Sequence, residues 1–315
     1  MKRFYLSIVC LVVLINAITQ PVKQYGQLKV KGTQLIDAYD SIVVLHGMSF
    51  GWHNLWPRFY NSGTVHELVT KWNCTVIRAS MGIQLNDSGY LKSPAQSIRL
   101  MENVIDACIK EGVYVIIDWH DHNIHRNEAN EFFGLMSRKY GSYPNVIYEL
   151  FNEPDYETWA EVKSYCEEMI RVIRGNDPDN IILIGSPRWD QDIHLPAADP
   201  IAGYSNLMYS MHFYAGTHKK WLRDRTDEAI KNGLPVFISE CAGMEANGDG
   251  PLDQNEWKLF KQWMDEKKLS WIAWSVSDKN ETCSVLKPSA LSDGNWREED
   301  IKEWGRLVKE QLSHY

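Results

Sequence analysis

Beyond its leading segment the chain has no apolar run approaching the roughly 20 residues that a membrane-spanning helix needs. It also lacks cationic excess. The 33 Lys and Arg against 41 Asp and Glu give a formal net charge of -8, mixed along the chain, so no electrostatic footprint for nucleic acid or an anionic membrane is present. Gly-x-Gly-x-x-Gly and phosphate-loop sequences are missing, which removes support for a nucleotide fold. No Gly/Ser/Pro-rich linker, low-complexity tract or short repeat divides the chain, and a single domain is the simplest account. Of six cysteines, Cys10 lies in the leading segment; Cys74, Cys108, Cys166, Cys241 and Cys283 show no metal-binding spacing. That odd number leaves at least one thiol unpaired within the chain.

The leading segment itself is distinctive. Met1-Lys2-Arg3, an apolar stretch from Phe4 to Ile15, and small or polar residues to Gln20 read as a signal peptide over residues 1–20, cut near 17–20. A secreted product spanning residues 21–315 is expected. That length exceeds an average domain but is ordinary for an α/β barrel, which typically takes about 250 residues. The 13 Trp and 15 Tyr are plentiful, and their flat faces suit sugar rings, although most such residues are expected in the core.

Short β-rich segments alternate with longer amphipathic ones, the pattern of repeated βα units. Strands are expected over Ile42 to Met48, Thr75 to Ala79, Val113 to Asp118, Val146 to Phe151, Ile181 to Ile184, Leu207 to His212, Val236 to Ser239 and Trp271 to Trp274. Helices are expected over Ser97 to Lys110, Glu128 to Tyr140, Trp159 to Arg174, Thr226 to Asn232 and Glu256 to Lys267. An open doubly wound sheet would give a similar string. Polar residues decide for a closed α/β barrel, a (β/α)8 fold: Arg78, Asp118, His120, Asn152, Glu153, Trp189, His212, Tyr214, Glu240 and Trp274 fall at or just beyond the carboxyl ends of different strands, which converge on one mouth only in a barrel.

Two of those ends carry the sharpest signal. Glu149-Leu150-Phe151-Asn152-Glu153-Pro154 is an apolar run that stops on a carboxylate, because the proline ends the ladder. Val236-Phe237-Ile238-Ser239-Glu240 repeats the design. A pair of carboxylates across one mouth suits glycoside hydrolysis. Arg78 beside Glu240 would hold that carboxylate ionised and leave Glu153 the more easily protonated partner. Asn152 could hydrogen-bond a sugar hydroxyl, and the Tyr214 phenol could donate to the nucleophile. His46, His120 and His212 occupy separate strands with no His-x-x-x-His or His-Glu-x-x-His pair, so no metal is expected; His122 and His125 read as loop surface.

These segments resemble glycoside hydrolase family five, most closely its secreted endo-β-1,4-glucanases. The resemblance rests on Val43-Val44-Leu45-His46-Gly47-Met48, Val76-Ile77-Arg78-Ala79, Asp118-Trp119-His120, Asn152-Glu153-Pro154, His212-Phe213-Tyr214-Ala215-Gly216-Thr217-His218, Ser239-Glu240 and Trp274-Ser275. It implies a (β/α)8 barrel, retention of configuration, no cofactor, a β-glucan polysaccharide as substrate and a monomer. Glu153 would be the acid/base and Glu240 the nucleophile. Arg78, His120, Asn152, His212 and Tyr214 would shape the reacting subsite, and His46, Trp189, Trp274, Lys279 and Glu281 would contact sugar. A β-mannanase or other β-glycanase, or a non-catalytic glycan-binding protein on the same scaffold, are the alternatives. Two departures from the family pattern, Cys241-Ala242 after Glu240 and a shifted aromatic in Phe50-Gly51-Trp52, are expected at the cleft floor.

Overall fold

Eight parallel strands close on themselves in the computed structural model, which describes residues 20–315; the expected signal peptide lies outside the described residues but for Gln20. A two-stranded antiparallel hairpin, β1 (Lys29–Lys31) and β2 (Gln34–Ile36), precedes them. The barrel strands are β3 (His46–Phe50), β4 (Val76–Gly82), β5 (Tyr114–His120), β6 (Val146–Glu149), β7 (Ile181–Ile184), β8 (Leu207–Tyr214), β9 (Val236–Ala242) and β10 (Trp271–Val276), in the cyclic order of the chain. Each is followed by a helix: Ser62–Trp72, Pro94–Glu111, Arg126–Tyr140, Trp159–Arg174, His194–Ala198, Lys220–Lys231, Gln254–Lys267 and Glu303–Leu312. The expected fold class and all eight strand positions agree with this architecture.

The sequence sets these elements locally. Asn61 and Asp253 accept the backbone N–H groups of Thr64 and Glu256 at two helix starts, and Thr158 with Glu161 forms a capping box at a third. Gly112 and Asn73 end helices in the left-handed conformation. Strand residues are buried on both faces, which is why they read as unbroken apolar runs. Within β4 and β5 the alternation is strict. Ile77, Ala79, Val115 and Ile117 pack against the helices, whereas Val76, Tyr114 and Ile116 fill the barrel with Ile147, Leu183, Met208 and Phe237. Leu28, Leu35 and Val43, from the hairpin and the segments on either side of it, plug the lower end of this inner cluster. Gly47 lets β3 approach β4 closely, since a Cβ there would stand 1.8 Å from the Val76 carbonyl oxygen.

The first strand starts later than expected, at His46 rather than Ile42. Residues 42–45 are spent on the plug, with the Val43 N–H bonded to the Leu35 carbonyl. The five cysteines of the described residues are all buried and unpaired.

Burial also depresses the basicity of His53. Its Nδ1 accepts the Gly82 N–H at 2.9 Å and its Nε2 bonds Ser97 Oγ at 2.8 Å, and desolvation lowers its pKa to about 4. The folded ring stays neutral where the unfolded one, with a pKa near 6.5, takes a proton. This group's contribution is therefore complete above about pH 6.5 and is lost as the pH falls towards 4. His53→Asn keeps an acceptor at the Nδ1 position without the titration. The melting temperature of the wild type relative to that variant is expected to drop between pH 7 and 4.5; a constant difference would contradict the assignment.

Candidate active site

Arg78 organises the floor of the barrel mouth. Inward alternation brings it from β4 to face Asp118 of β5, Glu149 of β6 and Glu240 of β9, all fully or nearly fully buried. Its Nε donates to Glu149 Oε2 at 2.6 Å, Nη1 to Glu240 Oε2 at 3.0 Å, and Nη2 to Asn152 Oδ1 at 2.6 Å, with Asp118 Oδ2 3.0 Å from Nη2. Burial would favour the neutral form of Arg78, but these carboxylates raise its pKa and keep it charged. Glu149, also pushed up by burial, is held by Arg78 and His212 at about 2 and serves as the permanent counter-ion.

Glu240 reaches this floor through a break in alternation. A step of two residues along β8, from Ser210 to His212, is matched by a step of three along β9, from Phe237 to Glu240, and β10 shows the same mismatch on the other side. The extra residue is a bulge, and it turns Ser239 and Glu240 to the same side. Ser239 Oγ then bonds His212 Nε2 at 2.9 Å, while Glu240 Oε1 accepts the Tyr214 hydroxyl at 2.6 Å.

Glu153 stands across from it, just past the end of β6. One carboxylate oxygen of each glutamate and a ring nitrogen of His212 lie within 4.8 Å of one another. Such a trio could draw a cation, but His212 spends Nδ1 on Glu153 Oε1 at 3.0 Å and Nε2 on Ser239, leaving no free imidazole lone pair. Burial opposes charge on His212, yet Asp190, Glu149 and Glu153 around it raise its pKa well above the ordinary value. The resulting imidazolium bears on both glutamates. Burial would raise Glu153, but the hydrogen bond and charge of His212 hold it below the usual carboxylate range; burial and the neighbouring Glu153 charge push Glu240 up, against His212, Arg78 and Tyr214. These directions oppose the one expected from Arg78 alone, and the two carboxylates titrate as a pair.

The mouth opens into a cavity of about 660 Å³ lined by both glutamates, His120, His212, Tyr214, Trp189, Trp274, Lys279 and Glu281. Trp274 stacks on His120 with centroids 5.1 Å apart and planes 7° from parallel, and a cis peptide joins Trp274 to Ser275. His120 is neutral, through burial and the nearby Arg78, and its Nδ1 bonds Asp118 Oδ2 at 2.7 Å. Lys279 and Glu281 form an ion pair at 2.5 Å on the rim. Arg78 and Asn152 lie beneath the surface, and the Asn152 Nδ2 group has no partner among the described residues.

Three expectations need correction. His46 begins β3 and so sits at the opposite end of the barrel, stacked on Tyr315 at 4.0 Å; it contacts no part of the cleft. His122 is not plain loop surface: it lines the cavity, and its Nδ1 lies 3.0 Å from the Glu153 carbonyl oxygen. Cys241 and Ala242 do not form the floor. Both are fully buried, and the Cys241 thiol donates to the Ile272 carbonyl at 3.2 Å. The shifted aromatic does matter, since Trp52 packs edge-on to His120 at 4.6 Å, in space left by Gly82, and lines the cavity. Sequence reasoning also missed Asp190, buried with one oxygen 3.4 Å from His212 Nε2. Its position after Trp189 was the one available signal.

Comparison with known proteins agrees with this geometry. Residues 36–280 match the profile of the cellulase family, glycosyl hydrolase family 5. Endoglucanase A of Evansella cellulosilytica is 41% identical over 278 residues, covering 86% of this chain and 56% of that protein. Endoglucanase Z of Dickeya dadantii is 39% identical over 269 residues, 84% of this chain and 61% of that protein. The chain thus spans less than two thirds of the length of these two relatives. Among solved structures, the catalytic domain of a Thermobifida fusca endoglucanase in complex with cellotetraose superposes with a TM-score of 0.89 at 33% identity, over 94% of this chain and 100% of that one. The matched profile spans most of the chain, from the hairpin to the rim loop after β10, and the chain belongs to glycosyl hydrolase family 5.

Proposed function

We propose that this protein is a secreted, retaining endo-β-1,4-glucanase with Glu153 as acid/base and Glu240 as nucleophile. The observation that carries the reading is that one oxygen of each carboxylate lies within 4.8 Å of the other across an open cleft. Retaining enzymes hold the pair about 5–5.5 Å apart, whereas inverting ones need about 6.5–9.5 Å to admit a water. The endoglucanase relatives and the cellotetraose-bound neighbour support a β-glucan as the substrate, and the signal-like leader supports export.

In the first step Glu240 attacks the anomeric carbon, the glycosidic C–O bond breaks, and Glu153 delivers its proton to the leaving oxygen. Arg78 and Tyr214, both donating to Glu240, stabilise the carboxylate form that attacks. Glu153 then takes a proton from water, which attacks the anomeric carbon and releases Glu240. The unpartnered Asn152 amide and His120 offer hydrogen bonds to hydroxyls of the reacting sugar, and Trp274, already stacked on His120, offers it a flat face.

Glu153→Gln removes the transferable proton and leaves the shape. Hydrolysis of polymer is expected to fall by about 10²–10⁴-fold, the usual worth of general acid catalysis, while the first step on an aryl glycoside with a very good leaving group is largely spared. Undiminished activity on polymer would remove Glu153 from its role. Reducing-sugar release from carboxymethyl-cellulose, lichenan and galactomannan in parallel tests the substrate: preference for galactomannan would make the enzyme a mannanase, and silence on all three from folded protein would make it a glycan-binding protein.

A further inference from the structure

The wall of the cleft beside Glu153 carries two exposed indoles that the chemistry above does not use. Trp189 and Trp221 are 39% and 42% exposed and both line the cavity. They come from different elements, the segment after β7 and the helix after β8, and one side chain ties them together. The guanidinium of Arg225 lies 5.0 Å from the centre of the Trp221 ring, and its Nη1 donates to Asp192 Oδ1 at 2.5 Å and to the Gln191 carbonyl at 3.0 Å, three and two residues beyond Trp189. Trp221 is further braced by the edge of His218, 5.9 Å away, whose Nδ1 accepts the backbone N–H of Tyr214.

Trp189 is held with comparable firmness. Arg188, Trp189 and Asp190 have successive φ values of 57°, 55° and 60°, a left-handed stretch that costs non-glycine residues energy and persists only where the surroundings enforce it. Its N–H bonds the Pro154 carbonyl at 2.9 Å, one residue from Glu153. A general acid must touch the leaving oxygen, so the wall attached to Glu153 is the leaving-group side. Trp274, Lys279 and Glu281 then face the other half of the chain.

We propose that Trp221 is a specificity-determining residue, a second sugar platform on the leaving-group side that Arg225 sets in register with Trp189, so that the enzyme favours β-glucan chains extending beyond the first leaving unit. The inference rests on the glucanase reading. An indole fixed by a cation on one face offers its other face to the axial C–H bonds of a sugar without first losing rotamer freedom. A short substrate ending at the first leaving unit never reaches it.

The test compares kcat/KM for cellohexaose and for an aryl β-cellobioside in the wild type, Trp221→Ala and Trp221→Phe. The ratio of the first to the second is expected to fall about tenfold in Trp221→Ala, the scale of one lost aromatic contact, and to stay within about threefold of wild type in Trp221→Phe. Cleavage of cellopentaose should shift in the same variant towards products with fewer units on the leaving side. An unchanged ratio and product pattern in Trp221→Ala, or equal losses on both substrates, overturns the proposal. Wild-type protein inert on both substrates instead overturns the glucanase reading, and this inference with it.

Discussion

Replacing Glu240 with Ala is expected to lower hydrolysis of carboxymethyl-cellulose by roughly 10⁴-fold or more, the order found when a nucleophile is removed from a catalytic unit whose binding elements remain. The fold should survive, because the deletion relieves as much as it breaks. Glu240 crowds Glu153 electrostatically, and Arg78 keeps Glu149, Asp118 and Asn152 as partners. The emptied volume also allows a chemical check. Azide entering it can attack the anomeric carbon of an activated aryl glycoside from the side Glu240 occupied, giving a glycosyl azide of inverted configuration. Retention of more than about a tenth of wild-type turnover would exclude Glu240 as the nucleophile.

Arg78→Ala is expected to abolish activity and to cost more stability than any other single change near the cleft. The guanidinium is fully buried and answers three carboxylates and an amide. Its loss leaves unpaired buried charge, a penalty of about 3–5 kcal/mol, or on the order of 10 °C in melting temperature. Arg78→Lys should recover little, because a point charge cannot serve acceptors spread around a planar fork. Glu149→Gln in the Arg78→Ala background should return part of the stability, since Glu149 is the ion that Arg78 and His212 hold at about 2. Calorimetry of the three variants reads this directly. A melting temperature for Arg78→Ala within about 2 °C of wild type would mean that the network is hydrated rather than buried.

Much of this molecule was legible because a parallel barrel writes itself plainly. Val113 to Asp118 and Val236 to Ser239 are continuous apolar runs because both faces are covered, and the polar residues that follow mark one common mouth. Strands continue two or three residues past those runs, since Asp118, Trp119 and His120 stay in the ladder although their side chains no longer look like core. The hairpin of β1 and β2 left no comparable mark. Lys29 and Lys31 point to solvent, and its strands are only three residues long. His46 was misplaced because the apolar run from Ile42 includes the plug residues: the strand itself starts at His46, which puts the histidine at its amino end, away from the mouth. The pull of His212 on Glu153 was illegible for a different reason. Arg78 announces itself at a strand end, whereas the charge on His212 depends on Asp190 and Glu149, brought to it by the fold from two other strand ends.

The bulge in β9 bears on any attempt to move this chemistry elsewhere. Under strict alternation Glu240 would point at the helices, with Ser239 alone facing inwards, and it is the surplus residue measured against both β8 and β10 that redirects it. Its bearing is therefore a property of three adjacent backbones rather than of a rotamer. A graft that copies the Phe237–Glu240 segment onto another barrel without the two-against-three ladder would aim its carboxylate at the wrong layer.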